Sequence, residues 1–271
     1  MVEVNINPWG NGEIDEDRPI DTSDPTYVIV HGFTETGGNP GNIFRKRPTR
    51  WMSEMADNIR NLERDDANIL LVDWQDARTL NYPAAAGRVD DVGVEVADYL
   101  LEEGVNPATT TLIGFSLGAH VVGEAGERLR ESSGKVDLLI GLDPARSMFE
   151  EGAPLFDNKF TDPNDRLDAN DADRVVALHT SRGIGYNGEL ADLDLYINWD
   201  DRLQPGSSGP IGNHRYAHDL YIDLLDGATF LQSNDTTLPN NIFSLDTIMN
   251  RDTIMNHEIT NIDGSGLEID T

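Results

Sequence analysis

The chain alternates short, mostly apolar runs with longer segments whose apolar residues recur every three to four positions. The apolar runs are Thr26–Phe33, Asn68–Trp74, Thr110–Gly114, Val136–Leu142, Arg174–Thr180 and Asp192–Ile197. The periodic segments are Pro48–Leu62, Pro83–Leu101, Leu117 to about Arg130, and His214–Leu225. Strands buried on both faces and alternating with amphipathic helices form mostly parallel sheets covered by helices on each face. The sequence therefore predicts an α/β fold of that kind.

Charge and composition exclude several classes of protein. The 271 residues include 20 basic and 49 acidic side chains, which gives a formal net charge of −29, and no cysteine. This charge repels phosphates, so no nucleic-acid partner is expected. Without cysteine there is no disulfide, thiolate metal site or cysteine nucleophile. No stretch approaches the roughly 18 apolar residues of a membrane-spanning helix.

The acidity is compatible with two interpretations of where the protein functions. An acidic surface with only three lysines suits the cytoplasm of a halophile, because it keeps a protein soluble in high salt. Acidic clusters also suit a secreted, calcium-exposed protein, and this second reading is preferred here. Residues 1–10 show no basic and apolar signal-peptide pattern, so a leaderless secretion route is expected. A module of a longer secreted adhesin or toxin is an alternative.

The composition changes after Leu225. Residues 226–271 are acidic and rich in Asn and Asp, and Asp246–Asn250 is repeated as Asp252–Asn256. Two copies are too few for a solenoid. We expect one domain over residues 1–225, followed by an irregular extension over 226–271.

The motif Gly114-Phe-Ser-Leu-Gly118 lies between a predicted strand and a predicted helix. A G-x-S-x-G sequence in this position forms the sharp turn that raises a nucleophilic serine above a sheet. The alternative is an ordinary N-cap serine at a glycine-rich helix start. The context favours Ser116 as a nucleophile.

A nucleophilic serine needs a histidine base and a carboxylate that orients it, in the order serine, acid, histidine in this fold. Asp143 follows the predicted strand Val136–Leu142 and precedes a proline, although a turn-initiating Asp is equally compatible. His214 follows a Gly/Pro-rich loop at a predicted helix start and is preferred as the base. The competing histidines are His31, His120, His179, His218 and His257.

A set of motifs in this order resembles the catalytic domain of the pancreatic lipase family, which includes triglyceride lipases and sn-1 phospholipases. The motifs are His31-Gly-Phe33, Val72-Asp-Trp74, Gly114–His120, Gly123–Gly126, Gly141–Ala145 and Asn213-His214. The resemblance implies an α/β-hydrolase fold and a Ser116–Asp143–His214 triad. It also implies an oxyanion hole formed by the backbone N–H groups of Phe33 and Leu117.

The family resemblance also implies a structural calcium ion, with no cofactor required for the chemistry. The segment Arg166–Asp173 resembles the family's calcium loop, with carboxylates from Asp168 and Asp171 and backbone carbonyls from Pro163 and Arg166. Oxygen ligands of this kind suit calcium. A solvated acidic turn is the alternative.

The chain departs from the family at several positions. Phe115 replaces the usual histidine before the serine, and only Ser207–Gly212 remain where triglyceride lipases have an amphipathic lid helix. The short lid resembles that of the family's phospholipases and predicts activity without interfacial activation.

The expected substrate is a lipid ester, with transient contact to a membrane or micelle. No counterpart of the family's C-terminal β-sandwich follows, so no colipase-like partner is expected.

A non-catalytic lipid- or partner-binding protein on a lipase scaffold is the alternative function. Such a protein typically lacks a triad residue, whereas all three residue types are present in this sequence. The sequence therefore favours a serine hydrolase that cleaves lipid esters.

Overall fold

The computed structural model describes residues 2–38, 47–232, 242–249 and 267–270. Its strands are β1 (Val4–Gly10), β2 (Glu13–Ile14), β3 (Thr26–Val30), β4 (Asn68–Trp74), β5 (Thr110–Phe115), β6 (Leu138–Leu142), β7 (Val175–His179), β8 (Leu193–Ile197), β9 (Phe230–Gln232), β10 (Ile242–Phe243) and β11 (Leu267–Asp270). Its α-helices are α1 (Arg50–Leu62), α2 (Tyr82–Ala86), α3 (Val89–Glu102), α4 (Leu117–Ser132), α5 (Pro210–Leu225) and α6 (Leu245–Met249).

The described strands form one sheet in the order β10-β9-β11-β8-β7-β6-β5-β3-β4-β1-β2. Neighbours from β4 through β3, β5, β6, β7 and β8 to β11 are parallel, and antiparallel pairs occur only toward the two edges of the described sheet. This confirms the predicted α/β-hydrolase class with a mostly parallel sheet. Because consecutive parallel strands end at one edge, residues after β3, β5 and β6 are brought together there.

Helices cover both faces of the sheet. Helices α1 and α5 bury their apolar residues against one face, and α2, α3 and α4 against the other. Successive residues of β3 alternate between these layers: Tyr27 and Ile29 belong to the first, and Val28 and Val30 to the second. This alternation is the two-residue period of a strand buried on both faces.

Three local features differ from the sequence prediction. Strands β1 and β2 were not predicted, and β1 pairs antiparallel with β4. The predicted helix Pro83–Leu101 is divided into α2 and α3, and Gly87 ends α2. Helix α5 begins at Pro210, four residues before His214, because proline is well suited to the first turn of a helix.

Described parts of the C-terminal extension join the sheet, whereas the sequence suggested an irregular segment. Strand β11 pairs parallel with β8, and β9 pairs antiparallel with β11. The second copy of the short repeat, Asp252–Asn256, lies outside the described residues. The domain boundary at residue 225 stays a prediction.

Among the described helices, none combines the length and apolar character needed to span a membrane.

Candidate active site

Ser116 lies in the sharp turn between β5 and α4. Its backbone has φ 57° and ψ −119°, a left-handed conformation that is rare for a residue with a side chain. Strained residues of this kind cluster at functional sites. Ser116 is 7% exposed, and its backbone N donates to Leu142 O at 3.0 Å, which ties the turn to the end of β6.

The glycines of the G-x-S-x-G motif are required by close backbone contacts. A Cβ atom on Gly114 would lie 2.2 Å from Gly118 O, and one on Gly118 would lie 2.5 Å from Val30 O. Both distances are shorter than any real Cβ contact, so a side chain at either position would force the turn open. The two glycines therefore let α4 begin immediately after the serine.

Asp143 follows β6 and is fully buried, with φ 43°. Its Oδ2 atom lies 2.5 Å from His214 Nδ1 and also accepts a hydrogen bond from Ser181 Oγ. Its Oδ1 atom accepts from Thr180 N at 2.7 Å and Ser181 N at 3.1 Å. The carboxylate is thus held on one side by the chain after β7 and on the other by the imidazole.

The structure brings His214 to the serine turn through Phe115. The Phe115 and His214 rings have centroids 4.7 Å apart, and Phe115 directly precedes Ser116 in the chain. Because Nδ1 of His214 faces Asp143, the second ring nitrogen, Nε2, is the one left for proton exchange with a substrate or nucleophile. Phe115 therefore packs against the imidazole directly beside the serine turn.

The other described histidines have different partners. His179 Nε2 lies 2.7 Å from Asp194, and His120 Nε2 donates to Ala145 O at 2.8 Å. Burial lowers the pKa of His120 to about 3, so it stays neutral. His31 lies 3.5 Å from Asp73, and His218 stacks on the indole of Trp51. His257 lies outside the described residues.

The two backbone N–H groups expected to form the oxyanion hole belong to adjacent segments. Val30 pairs with Gly114, so the chain after β3, which carries Phe33, runs beside the serine turn. Leu117 is the first residue of α4, so its N–H has no acceptor within the helix. A Cβ on Gly32 would lie 2.8 Å from Ser116 Cβ. The loop containing Phe33 therefore lies directly against the serine.

Thr180, Ser181 and Gly185 support the site and were missed in the sequence. A Cβ on Gly185 would lie 2.3 Å from Asp143 Oδ1, so only glycine leaves room for the carboxylate. The available signal was polar residues directly after the buried strand β7. Without knowledge that β7 pairs with β6, this signal did not indicate a contact with Asp143.

The segment resembling a calcium loop packs against α4. Asp171 is 4% exposed, and its Oδ2 accepts from Asp168 N at 2.8 Å. Burial raises the pKa of Asp171 to about 8, although the hydrogen bond from Asp168 acts in the opposite direction. Arg166 N lies 3.4 Å from Pro163 O. Among the described residues no group of three or more His, Cys, Asp or Glu side chains is arranged to hold a metal, so backbone carbonyls would be needed as ligands.

We expect the contribution of Glu124, on α4, to the stability of the fold to depend on pH. Burial, followed by the negative charges of Asp90 and Glu127, raises the pKa of its carboxyl from 4.5 to about 8. Between pH 4.5 and about 8 the carboxyl of Glu124 is therefore protonated in the folded chain and ionised in the unfolded chain. The stability that comes from this protonation is lost as the pH rises through that range. We expect Glu124→Gln to raise Tm in calcium-free buffer at pH 8.5 and to have a much smaller effect at pH 5. In a domain of this size each kcal/mol corresponds to roughly 2–4 °C.

Glu131→Gln, an exposed change on the same helix, is the control and should show little dependence on pH. Thermal unfolding followed by circular dichroism measures both variants. A Tm difference for Glu124→Gln that is equal at the two pH values would contradict the assignment.

The segment Ser207–Gly212 is short, and its last three residues form the first turn of α5. Asn213 accepts hydrogen bonds from Gln204 N at 2.9 Å and Ser207 Oγ at 2.6 Å, which fasten the segment directly before His214. The segment is therefore a tethered turn in this structure.

The family model and the curated relatives of similar sequence agree on a family. The family model "Lipase" matches residues 13–221. Lipase member H from Rattus norvegicus is 33% identical over 66% of this chain and 36% of its own length, and pancreatic lipase-related protein 2 from Cavia porcellus is 33% identical over 72% and 42%. The esterase LipW from Mycobacterium marinum aligns with a TM-score of 0.37 and 17% identity, covering 65% of this chain and 62% of that one. The chain spans about two fifths of the length of the curated relatives it matches. Because the family model covers most of its sequence, the chain belongs to the Lipase family.

Proposed function

We propose that the chain hydrolyses carboxylic esters of lipids through an acyl-enzyme formed on Ser116. The observation that carries this proposal is the contact between His214 and the buried Asp143 beside the strained serine turn. Membership of the Lipase family supports it. The substrate class includes acylglycerols, simple esters and sn-1 ester bonds of phospholipids.

The first half of the reaction is acylation. Ser116 Oγ attacks the acyl carbonyl carbon while His214 Nε2 takes the serine proton, and Asp143 holds the Nδ1 proton of the resulting imidazolium. The N–H groups of Phe33 and Leu117 stabilise the tetrahedral oxyanion. Removing one such donor typically lowers kcat about 100- to 1,000-fold. His214 then donates its proton to the departing alcohol oxygen.

The second half is deacylation. Water attacks the acyl-enzyme carbonyl, His214 takes a proton from this water, and the same oxyanion contacts apply. Collapse of the second intermediate releases the fatty acid and returns the proton to Ser116. The chemistry needs no metal or organic cofactor in these steps.

The short covering segment supports hydrolysis without interfacial activation. Six residues, half of them in a helical turn fastened through Asn213, leave no separate amphipathic helix to displace. We expect fatty-acid release from a short-chain ester to rise smoothly with substrate concentration. A titrimetric assay across the critical micelle concentration tests both points. A jump in rate at that concentration would contradict hydrolysis without interfacial activation, whereas no release at any concentration would contradict the proposed hydrolysis.

Exposed apolar side chains support a transient contact with a membrane or micelle. Leu80 is 98% and Leu155 85% exposed, and Phe156, which is also exposed, stacks on Tyr82, which in turn contacts the Phe33 ring. This series of side chains leads from the proposed oxyanion loop to the surface. A lipid surface touching Leu80 and Leu155 would therefore lie near the site of reaction.

We also propose that a structural calcium ion binds the loop containing Asp168 and Asp171, completed by the carbonyls of Pro163 and Arg166. The donor set fits because every proposed ligand is oxygen and Asp171 is a buried carboxylate. The ion would favour the ionised form of Asp171, which burial alone disfavours, and would fasten the loop to α4. It takes no part in the steps above.

Calcium is therefore expected to raise Tm. The stabilisation is about 2.7 kcal/mol when the calcium concentration is one hundred times Kd. Asp171→Asn, which keeps an acceptor for Asp168 N, should abolish the calcium-dependent increase, and Glu131→Gln should retain it. Differential scanning calorimetry with calcium and with chelator provides the measurement. Equal Tm values in both buffers would reject a calcium site in this loop.

A further inference from the structure

Three buried aromatic side chains pack together beside the imidazole of His214. We call Trp51, Phe115 and His218 the aromatic cluster. The centre of the Phe115 ring lies 4.9 Å from that of His218 and 5.7 Å from that of Trp51. The rings of Trp51 and His218 are stacked, with centres 4.9 Å apart and planes inclined by 7°. Because Phe115 also contacts His214, the aromatic cluster is part of the packing of the proposed base.

The aromatic cluster limits how the His214 ring can tilt. The contact between Nδ1 and Asp143 fixes one edge of the imidazole, but a single hydrogen bond leaves the ring free to rock about that edge. The Phe115 ring, 4.7 Å away and inclined by 37°, blocks this motion on one face. Phe115 is itself held by His218, which lies one helical turn after His214 on α5. The direction of Nε2 therefore depends on where the aromatic cluster lies.

A single hydrogen bond from Trp51 anchors the aromatic cluster. His218 is held by stacking, because neither of its ring nitrogens has an aligned hydrogen bond among the described residues, although Nδ1 lies 2.9 Å from Asp219 Oδ1. The indole Nε1 of Trp51, in contrast, donates to Glu35 Oε2 at 3.2 Å. Trp51 is 6% and Glu35 8% exposed. The carboxyl group of Glu35 therefore fixes the indole on which His218 stacks.

Glu35 also belongs to the loop that carries the proposed oxyanion donor. It lies two residues after Phe33. A backbone hydrogen bond from Thr49 N to Thr36 O, at 2.8 Å, ties this loop to the start of α1, where Trp51 is the second residue. Because Trp51 contacts both Glu35 and the other rings of the aromatic cluster, one side chain joins the oxyanion loop to the packing of the base.

We propose that Trp51 and Glu35 are positioning residues that hold the oxyanion loop and the imidazole of His214 in a fixed relation to the serine. The proposal rests on the ester hydrolysis proposed above and adds residues that act through others. Trp51 acts on His214 through Phe115 and His218, and Glu35 acts by fixing the indole. A displacement of about 1 Å in a catalytic site can cost roughly a hundredfold in rate. Loosening the aromatic cluster should therefore lower kcat.

The test removes this hydrogen bond with little change in side-chain size. Glu35→Met leaves the indole N–H without its acceptor, and we expect kcat on a soluble short-chain ester to fall on the order of 10- to 100-fold, with a much smaller change in KM. Glu35→Gln keeps an acceptor oxygen and should retain most of the activity. Trp51→Phe removes the donor and should lower kcat at least as much as Glu35→Met. Combining Glu35→Met with Trp51→Phe should add no further loss, because both changes break the same hydrogen bond.

Asp57 provides a matched control further along α1. Its Oδ1 accepts from the indole Nε1 of Trp9 at 2.8 Å, so Asp57→Leu breaks a hydrogen bond of the same kind outside the aromatic cluster. We expect Asp57→Leu to lower Tm about as much as Glu35→Met and to leave kcat per folded molecule unchanged. The measurements are kcat, KM, Tm and the rate at which a fluorophosphonate labels Ser116.

The outcomes separate this proposal from the proposed function. Wild-type kcat in Glu35→Met, or equal losses of kcat in Glu35→Met and Asp57→Leu, would overturn the positioning role and leave ester hydrolysis standing. Equal losses in Glu35→Met and Glu35→Gln would also overturn it, because the acceptor oxygen would then have no effect. If Glu35→Met does not fold, wild-type kcat in Trp51→Phe overturns the role in the same way. If the wild-type chain released no fatty acid and took up no label on Ser116, the proposed function itself would be rejected.

Discussion

Ser116→Ala is expected to lower kcat for short-chain carboxylic esters by about a millionfold, to near the level without enzyme. Loss of the serine nucleophile in a triad enzyme has an effect of this size, because the remaining triad members have nothing to activate. The fold should persist. Alanine fills almost the same volume as serine, and the hydrogen bonds that tie the turn to Leu142 and Ala145 use only the backbone of residue 116.

The control is Ser132→Ala at the exposed far end of the same helix, α4, which should leave kcat unchanged. Fatty-acid release and labelling by a fluorophosphonate followed by mass spectrometry give two independent readouts. The wild-type chain should carry the label on Ser116, and the alanine variant should carry none there. Full activity in a folded Ser116→Ala variant would remove the basis for acyl transfer in this chain.

The sequence predicted the central sheet well because its signals are local. Strands β3 to β8 are apolar runs buried on both faces, so hydropathy alone locates them to within a few residues. The same runs locate Ser116 and Asp143 directly after strands and His214 near the start of a helix. Their meeting in space then depends on the strand order, which the family resemblance supplied.

The features that were missed depend on tertiary contacts. Strand β1 contains Asn5 and Asn7, which interrupt the apolar pattern of a buried strand. Yet Asn7 is buried, and its amide donates to Gly38 O at 2.8 Å and Leu71 O at 3.2 Å. These carbonyls come from segments more than 30 residues away, so hydropathy could not show that the polar group is satisfied.

The support of Asp143 was invisible for the same reason. Its hydrogen-bond donors come from Thr180 and Ser181, after a strand that becomes its neighbour only in the folded sheet. The cavity lined by Trp199, Thr180 and Asn213 likewise combines segments that are separated in the chain. The sequence could therefore nominate Ser116, Asp143 and His214 as candidates, whereas the groups that hold Asp143 required coordinates.

Asp143→Asn is expected to lower kcat by about 10⁴-fold with a much smaller change in KM. The buried carboxylate accepts from Thr180 N, Ser181 N, Ser181 Oγ and His214 Nδ1. An asparagine has one acceptor oxygen and one donor NH₂ group. If the oxygen stays with the backbone N–H groups, the NH₂ faces His214 and selects the tautomer protonated on Nε2. This imidazole cannot accept the serine proton, which explains a loss of the size known for such replacements.

Steady-state kinetics on a soluble ester, together with Tm, distinguishes this chemical effect from loss of the fold. The chain offers a matched control in Asp194, a second buried carboxylate that contacts a histidine, His179, at 2.7 Å and accepts from Leu190 N and Ala191 N. Asp194→Asn should lower Tm, because it removes charge-assisted hydrogen bonds of the same kind, while kcat per folded molecule is retained. Asp143→Asn should lose kcat far beyond what its change in Tm explains. If the two variants instead lost activity in proportion to their loss of Tm, Asp143 would be a structural carboxylate, and His214 would need a different partner to act as the base.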